Sequence, residues 1–428
     1  MIDALMRNSN QRFPWLRRIA LLSVHTSPLA ALGGEKTGGM NVYVREFSRE
    51  LARHGVQVDI FTRLAAADQP PVDHALGPGV RVIRIPAGPP RAIEIDEITA
   101  YLHSFTEGAI DFAASELIQY DLIHSHYWLS GLVAGQLRAY WGQLPIVHMF
   151  HTLGHLKNAV AQRPEERASA ARLQGETQVV QLADRLVAAT AAEHDQLVTL
   201  YGADPGKISV IPPGVDLARF RPLNKVAARR VAKLPDERAN VVFTGRIEPL
   251  KGIDTLLQAT ALLRQRRPDV QVTIIGGDPN NRGRDRELTR LYELRCELNL
   301  CPAVCFVGAK EQGDLAHYLA AADLVVMPSL YESFGMVALE AMATGTPVVA
   351  SAVGGLADLV QHGETGLTVP PRDPEALAAS IDKLLTDAEL RERLGRQASA
   401  YARQYDWALI VRRMVEEVYT PLLRVPTS

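Results

Sequence analysis

At 428 residues, 47% of them hydrophobic, the chain is long enough for two domains of ordinary size, each with its own core. A net charge of −2 provides no overall basic field for nucleic acid, and no apolar run reaches the length of a membrane-spanning helix. Three cysteines, Cys296, Cys301 and Cys305, lack the spacing of a zinc site and are expected to be reduced in a cytoplasmic protein. The segment before residue 19 carries Arg7, Arg12, Arg17 and Arg18, but the apolar stretch 19–24 is too short for a signal peptide. Residues 19–24 therefore read as the first strand, after a loose extension.

Residues 33–41, Gly-Gly-Glu-Lys-Thr-Gly-Gly-Met-Asn, follow that strand. Gly33, Gly34, Gly38 and Gly39 make a loop whose backbone can approach a ligand closely, or one that is merely flexible. It closes with no Gly-Lys-Ser/Thr and does not fit Gly-x-Gly-x-x-Gly, which argues against a nucleotide P-loop and a dinucleotide site. Further strands are expected at 56–62, 80–85, 122–126, 146–151 and 185–190, alternating with helices at 41–54, 98–115, 132–140 and 167–183. That is a doubly wound parallel sheet. His124, His126, His148 and His151 fall at the ends of two of these strands. Neither histidine motif contains a carboxylate, so local hydrogen bonding is preferred to a metal. Lys157 and Arg172 follow on a helix-rich stretch, where a solvated surface is the plain alternative to a binding role.

The prolines and glycine of 211–222 mark a linker or hinge. Behind it, 225–233 is a basic helical stretch, read as a solvated face or as weak attraction to acidic lipid. The strand pattern then repeats at 241–245, 271–276, 304–307, 323–328, 347–351 and 366–369, and amphipathic helices close the chain at 374–385, 388–405 and 407–423. Two strand ends in this half carry charge. Strand 241–245 runs into Gly245-Arg246, with Lys251-Gly252 opening the next helix. Arg supplies a planar fork and Lys a point charge, a pair suited to a diphosphate. Strand 323–328 runs into Glu332-Ser-Phe334-Gly335-Met336, with Glu340 about one turn inside the following helix. Amides at a helix start suit phosphate or sugar hydroxyls, and carboxylates suit vicinal hydroxyls; dipole compensation alone would also explain an acid there.

Taken together, Gly-Arg-x4-Lys-Gly followed by Glu-x7-Glu resembles the retaining nucleotide-sugar glycosyltransferases of family 4, over nearly the whole chain from residue 19 onward. The resemblance implies a GT-B fold of the α/β class, with two Rossmann-like domains facing a cleft. It places an acceptor domain at 1–212, a nucleotide-sugar domain at 213–404, and a last helix at 405–428 that crosses back onto the first domain. It implies donor contacts from Gly38, Gly39, Arg246, Lys251, Lys310, Glu332, Phe334, Gly335, Met336 and Glu340. It implies acceptor contacts from Asn41, Tyr127, Thr152, Lys157 and Arg172, and a catalytic set of His151, Arg246, Lys251 and Glu332. It further implies a UDP-sugar as co-substrate, no requirement for a metal or other cofactor, and a possible homodimer.

Within that family, Gly38 to Val44 matches the members that glycosylate inositol 3-phosphate, whereas sucrose-phosphate synthases usually carry Gln at Met40. One departure stands beside this: the inositol-phosphate enzymes have a lysine where this chain has Ile95, with Arg91 nearby. The expected reaction moves a hexosyl unit from a UDP-sugar to a small phosphorylated polyol or sugar. The acceptor oxygen would attack on the leaving-group face while Arg246 and Lys251 meet the charge of the departing diphosphate. A sucrose-phosphate synthase type of transfer is the alternative within the class. A sugar-nucleotide epimerase would need a further acid–base set, and a non-catalytic sensor would not need the full set of Arg246, Lys251, Glu332 and His151.

Overall fold

The computed structural model describes residues 13–30, 38–161, 163–281, 283 and 285–423. Most of the N-terminal extension and the first part of the glycine-rich loop, Gly33 to Thr37, lie outside them. The chain forms two compact units. One comprises residues 13–30, 39–212 and 407–423; the other comprises Gly38 and 213–406.

The sheet of the first unit has the order β3-β4-β2-β1-β5-β6-β7-β8. Its strands are β1 Arg18–Leu22, β2 Gln57–Arg63, β3 Val72–Asp73, β4 Val80–Ile85, β5 Leu122–His126, β6 Ile146–Met149, β7 Arg185–Ala188 and β8 Ile208–Val210. All pairs are parallel except β3 with β4. Near-continuous apolar runs suit strands covered on both faces. Leu22, Ile123 and Ile146 are buried, and Trp128, Phe105 and Phe150 share one core cluster with them. The helices are α1 Gly39–Arg53, α2 Leu102–Ser115, α3 Trp128–Tyr140, α4 Gly154–Val160, α5 Ala170–Leu182 and α6 Ala191–Tyr201.

The expected strand 146–151 stops at Met149, because His151 turns to a left-handed φ of 63°. The expected strand 185–190 stops at Ala188, because Thr190 caps α6: its Oγ1 accepts from Glu193 N at 3.1 Å. Helix α3 begins at Trp128, four residues earlier than its apolar period suggests.

The second unit repeats the design with a wholly parallel six-stranded sheet of order β11-β10-β9-β12-β13-β14. These strands are β9 Ala239–Thr244, β10 Val270–Ile275, β11 Val304–Phe306, β12 Leu324–Met327, β13 Val348–Ser351 and β14 Gly366–Val369. The helices are α7 Lys225–Ala232, α8 Ile253–Arg264, α9 Arg286–Glu297, α10 Gln312–Ala321, α11 Met336–Ala343, α12 Gly354–Leu359, α13 Pro374–Thr386 and α14 Ala388–Ala402. Two of the three cations of the basic helix α7 are committed to one carboxylate, and Arg230 is exposed. Lys225 Nζ and Arg229 Nη2 both hold Asp323, at 2.5 and 2.9 Å. The carboxylate also accepts from Asn240 N at 2.7 Å, so it ties α7 to the first residues of β9 and β12.

The last described residues, 407–423, belong to the first unit. Sequence periodicity predicts one regular helix over 407–423. The structure has α15 Trp407–Arg413, a π-helical turn Met414–Tyr419, and α16 Thr420–Leu423. The wider turn coincides with a buried polar contact, Tyr419 Oη to His124 Nδ1 at 2.7 Å. Among the described residues, no helix is long and apolar enough to cross a membrane.

Candidate active site

In each sheet the strand order reverses at one point, between β1 and β5 and between β9 and β12. The carboxyl ends of strands flanking such a reversal leave a crevice where open α/β sheets bind ligands. The charged motifs of the second half lie there. Gly252 has φ 63°, and a Cβ on it would stand 2.0 Å from the carbonyl oxygen of Pro328. Glycine is thus what lets the loop after β9 touch the loop after β12. Leu330 N donates to Leu250 O across the same contact at 2.8 Å. The result is an ion pair between residues far apart in sequence: Lys251 Nζ to Glu332 Oε2, 2.6 Å, with both side chains mostly buried. Arg246 is more open and pairs with Glu248, Nη2 to Oε1, at 2.9 Å.

A second close approach fixes Glu332 from the other side. A Cβ on Gly354 would meet Glu332 O at 2.0 Å, and Gly355 N donates to that oxygen at 3.0 Å. Gly335, at φ 102°, turns the chain into α11, with Met336 as its first residue. Glu340 is buried and accepts from Gln312 Nε2 at 3.2 Å. Gln312 Oε1 in turn accepts from Arg219 Nη1 at 2.5 Å. Phe334 is 5% exposed and packs on the Tyr405 ring at 5.9 Å, so its ring serves the core of the unit. Lys310 lies with Nζ 6.0 Å from the Tyr318 ring, and Gly38 sits where a Cβ would be 3.5 Å from Arg246 Nε. Gly252→Ala is expected to destabilise the protein through the clash with Pro328, beyond the roughly 1–2 kcal/mol cost of a left-handed alanine. A thermal midpoint several degrees lower in calorimetry is the expected reading.

In the first unit, Gly39 opens α1, and Asn41 fastens that helix to the loop after β1. Its Nδ2 donates to Thr26 Oγ1 at 2.7 Å and to Ser27 O at 2.8 Å. The four histidines are held by local hydrogen bonds. His126 Nδ1 meets His151 Nε2 at 2.9 Å, His148 Nδ1 meets Ser125 Oγ at 2.8 Å, and His124 is bound to Tyr419. Among the described residues no group of three or more His, Cys, Asp or Glu is placed to hold a metal ion. Tyr127 and His151 both have positive φ, 70° and 63°, at the ends of β5 and β6. Strain of this kind is kept where the surroundings over-determine it; here Tyr127 N donates to Met149 O at 3.0 Å.

Tyr127 has the tilted His25 ring at 4.3 Å and the Arg172 guanidinium 5.0 Å from its centroid. Arg172 is buried. Its Nε donates to Glu176 Oε1 at 2.8 Å, and its Nη2 donates to Thr152 O and Oγ1 at 3.0 and 3.1 Å. Glu176 is fully buried and also accepts from Gly154 N at 3.0 Å and Tyr201 Oη at 2.5 Å. Arg172, Thr152 and Tyr127 are therefore one assembly, organised by Glu176. The Arg172–Glu176 spacing is the helical i,i+4 pair and was the available sequence signal for that carboxylate. Lys157 stands on α4 and is half-buried.

Burial holds His124 and His151 down to about 3 and pushes His126 and His148 well below the usual histidine value. All four are neutral in the folded protein near pH 7. Once unfolded, each titrates near 6.5, so between about 6.5 and 3 the unfolded chain binds more protons. Stability therefore falls as pH drops through that window, by up to about 1.4 kcal/mol per pH unit for a histidine that stays neutral. Urea midpoints are expected to fall steeply from pH 7 to pH 5, and less steeply in His124→Gln.

Two α/β units built on parallel sheets, each with polar side chains gathered at the carboxyl ends flanking its strand reversal, have the architecture of the GT-B class. Residues 37–219 match the profile of Glycosyltransferase Family 4, and residues 224–401 match that of Glycosyl transferases group 1. The D-inositol 3-phosphate glycosyltransferase of Salinispora tropica is 46% identical over 94% of this chain and 85% of its own length. D-inositol 3-phosphate glycosyltransferase 2 of Catenulispora acidiphila is 46% identical over 92% of each chain. Among solved structures, the sucrose-phosphate synthase of Thermosynechococcus elongatus superposes with a TM-score of 0.87 at 37% identity, over 95% of this chain and 99% of that one. The Anabaena HepE protein in complex with UDP and glucose shares the fold with a TM-score of 0.73 at 21% identity, over 94% and 99% of the two chains. The chain belongs to the family 4 glycosyltransferases.

Proposed function

We propose that the protein transfers a hexosyl unit from a UDP-sugar to inositol 3-phosphate with retention of anomeric configuration. The observation that carries the acceptor is the 46% identity to D-inositol 3-phosphate glycosyltransferases over nearly the full length of both chains. The chemistry is carried by Arg246 and Lys251 at the end of β9. Breaking the sugar–phosphate bond develops negative charge on the leaving diphosphate, and fixed cations that meet it are the strongest available lever. The diphosphate competes with Glu248 for Arg246 and with Glu332 for Lys251. Glu332, freed from Lys251, orients the donor sugar, and Glu340 holds the ribose hydroxyls. The acceptor oxygen attacks on the leaving-group face, and a phosphate oxygen takes its proton. His151, neutral near pH 7, hydrogen-bonds the donor sugar. On the acceptor side Arg172 binds the phosphate, since its Nη1 makes no hydrogen bond to the described residues, and Tyr127, Thr152 and Lys157 complete the contact. Three free cysteines fit a cytoplasmic setting.

Transfer of glucose to fructose 6-phosphate is the second reading, favoured by the likeness to sucrose-phosphate synthase. A matrix of UDP-sugars against inositol 3-phosphate, fructose 6-phosphate and their unphosphorylated forms decides between them. Turnover confined to fructose 6-phosphate would replace the first reading, and donor turnover without any acceptor would point to an epimerase. Because the two cations do the work of a metal at the leaving group, activity is expected to persist in EDTA. A complete loss restored by Mg²⁺ would contradict the mechanism.

A further inference from the structure

We propose that Cys296 and Cys301 form a thiol–disulfide exchange site on the second unit, whose reagents are small disulfides. Both cysteines are free and exposed, and their sulfur atoms stand 3.5 Å apart. The turn between them is pinned. At the end of α9, Leu298 N donates to Leu294 O at 3.0 Å, Asn299 N to Cys296 O at 3.0 Å, and Leu300 N to Arg295 O at 2.9 Å. Asn299 takes the left-handed conformation, with φ 56°, that ends such a helix. Beyond it Leu300 is buried and its carbonyl accepts from Ala303 N and Val304 N, both at 2.9 Å. Arg295 Nη1 closes the structure onto Val304 O at 3.1 Å. The backbone on both sides thus holds the two thiols together.

A disulfide needs its sulfurs about 2.0 Å apart, so side-chain rotation has only about 1.5 Å left to close. The reaction balances without any group from the active site. One thiolate attacks the reagent's S–S bond, forms a mixed disulfide and releases one small thiol. The second thiolate then attacks the protein sulfur of that mixed disulfide and releases the other. Two protein thiols become one disulfide, one small disulfide becomes two thiols, and the two protons leave with them. Because the second step is intramolecular between prepositioned groups, it outruns attack by a second reagent molecule. Cys305 stands apart from this exchange: its sulfur accepts from Gln271 Nε2 of β10 at 3.1 Å.

The test uses the full-length Cys305→Ser protein and dipyridyl disulfide under native conditions. Release of two thiones per chain is expected, with no adduct in the intact mass and full reversal by dithiothreitol. Fragmentation of the tryptic peptide 296–310 should place the bond between Cys296 and Cys301. The Cys301→Ser/Cys305→Ser protein should instead keep one stable adduct. Two stable adducts on Cys305→Ser, no release of thione, or a bond that forms only in urea would each overturn the proposal. Circular dichroism of each variant shows whether the serine forms remain folded, and the wild-type peptide map gives the same reading without them.

Discussion

Arg246→Ala and Lys251→Ala are each expected to lower turnover by roughly 100- to 1000-fold, because each removes charge-assisted stabilisation worth on the order of 2–4 kcal/mol at the leaving group. The two substitutions differ in their side effects. Lys251 is mostly buried and neutralises Glu332, so its loss leaves a poorly solvated carboxylate and some stability goes with it. Arg246 is the more exposed of the two and pairs with a partly exposed Glu248, so its loss is expected to cost little stability. Turnover, thermal unfolding and calorimetric binding of UDP and uridine separate these effects. Uridine affinity should be nearly unchanged in both variants, and UDP affinity should fall, since the role proposed for the cations is on the diphosphate. Near-normal turnover in both proteins would remove these residues from the reaction.

Arg172→Ala is expected to act twice. It leaves Glu176 buried without its cation, a change that typically costs about 3–5 kcal/mol, and it removes the proposed charge-assisted contact to the acceptor phosphate, worth about 10- to 100-fold in acceptor KM. Tyr201→Phe is the control for the first effect. It deletes the hydroxyl that donates to Glu176 at 2.5 Å and leaves Arg172 in place. Both variants should unfold at lower temperature, but only Arg172→Ala should raise the acceptor KM and lose the preference for a phosphorylated acceptor. An unchanged KM in Arg172→Ala would make the guanidinium a purely structural partner of Glu176 and Thr152. Arg172→Lys should keep part of the stability but not the fork that spans Glu176 and Thr152.

Much of this molecule follows from local pattern. Apolar runs bounded by Gly, Pro and polar residues determine the buried parallel strands, because a strand covered on both faces must be apolar along its length. Gly245-Arg246, Lys251-Gly252 and Glu332 to Glu340 sit just beyond such runs, so sequence alone puts them at strand ends and helix starts. What tertiary structure decided are the pairings. Lys251 meets Glu332 only because β9 and β12 are neighbours and Gly252 admits the carbonyl of Pro328, and neither strand order nor close approach is a local property. The same holds for Phe334, which faces Tyr405, and for Lys225 and Arg229 of α7, committed to Asp323. Helical spacing allowed an Arg172–Glu176 pair, but that Glu176 also gathers Gly154 and Tyr201, and that Tyr127 lies beneath the guanidinium, required the fold. Periodicity reports which face of an element is buried. Which buried or half-buried groups then meet depends on strand order, on glycine at the loop crossings and on the turn at Met414–Tyr419, each of which joins residues distant in sequence.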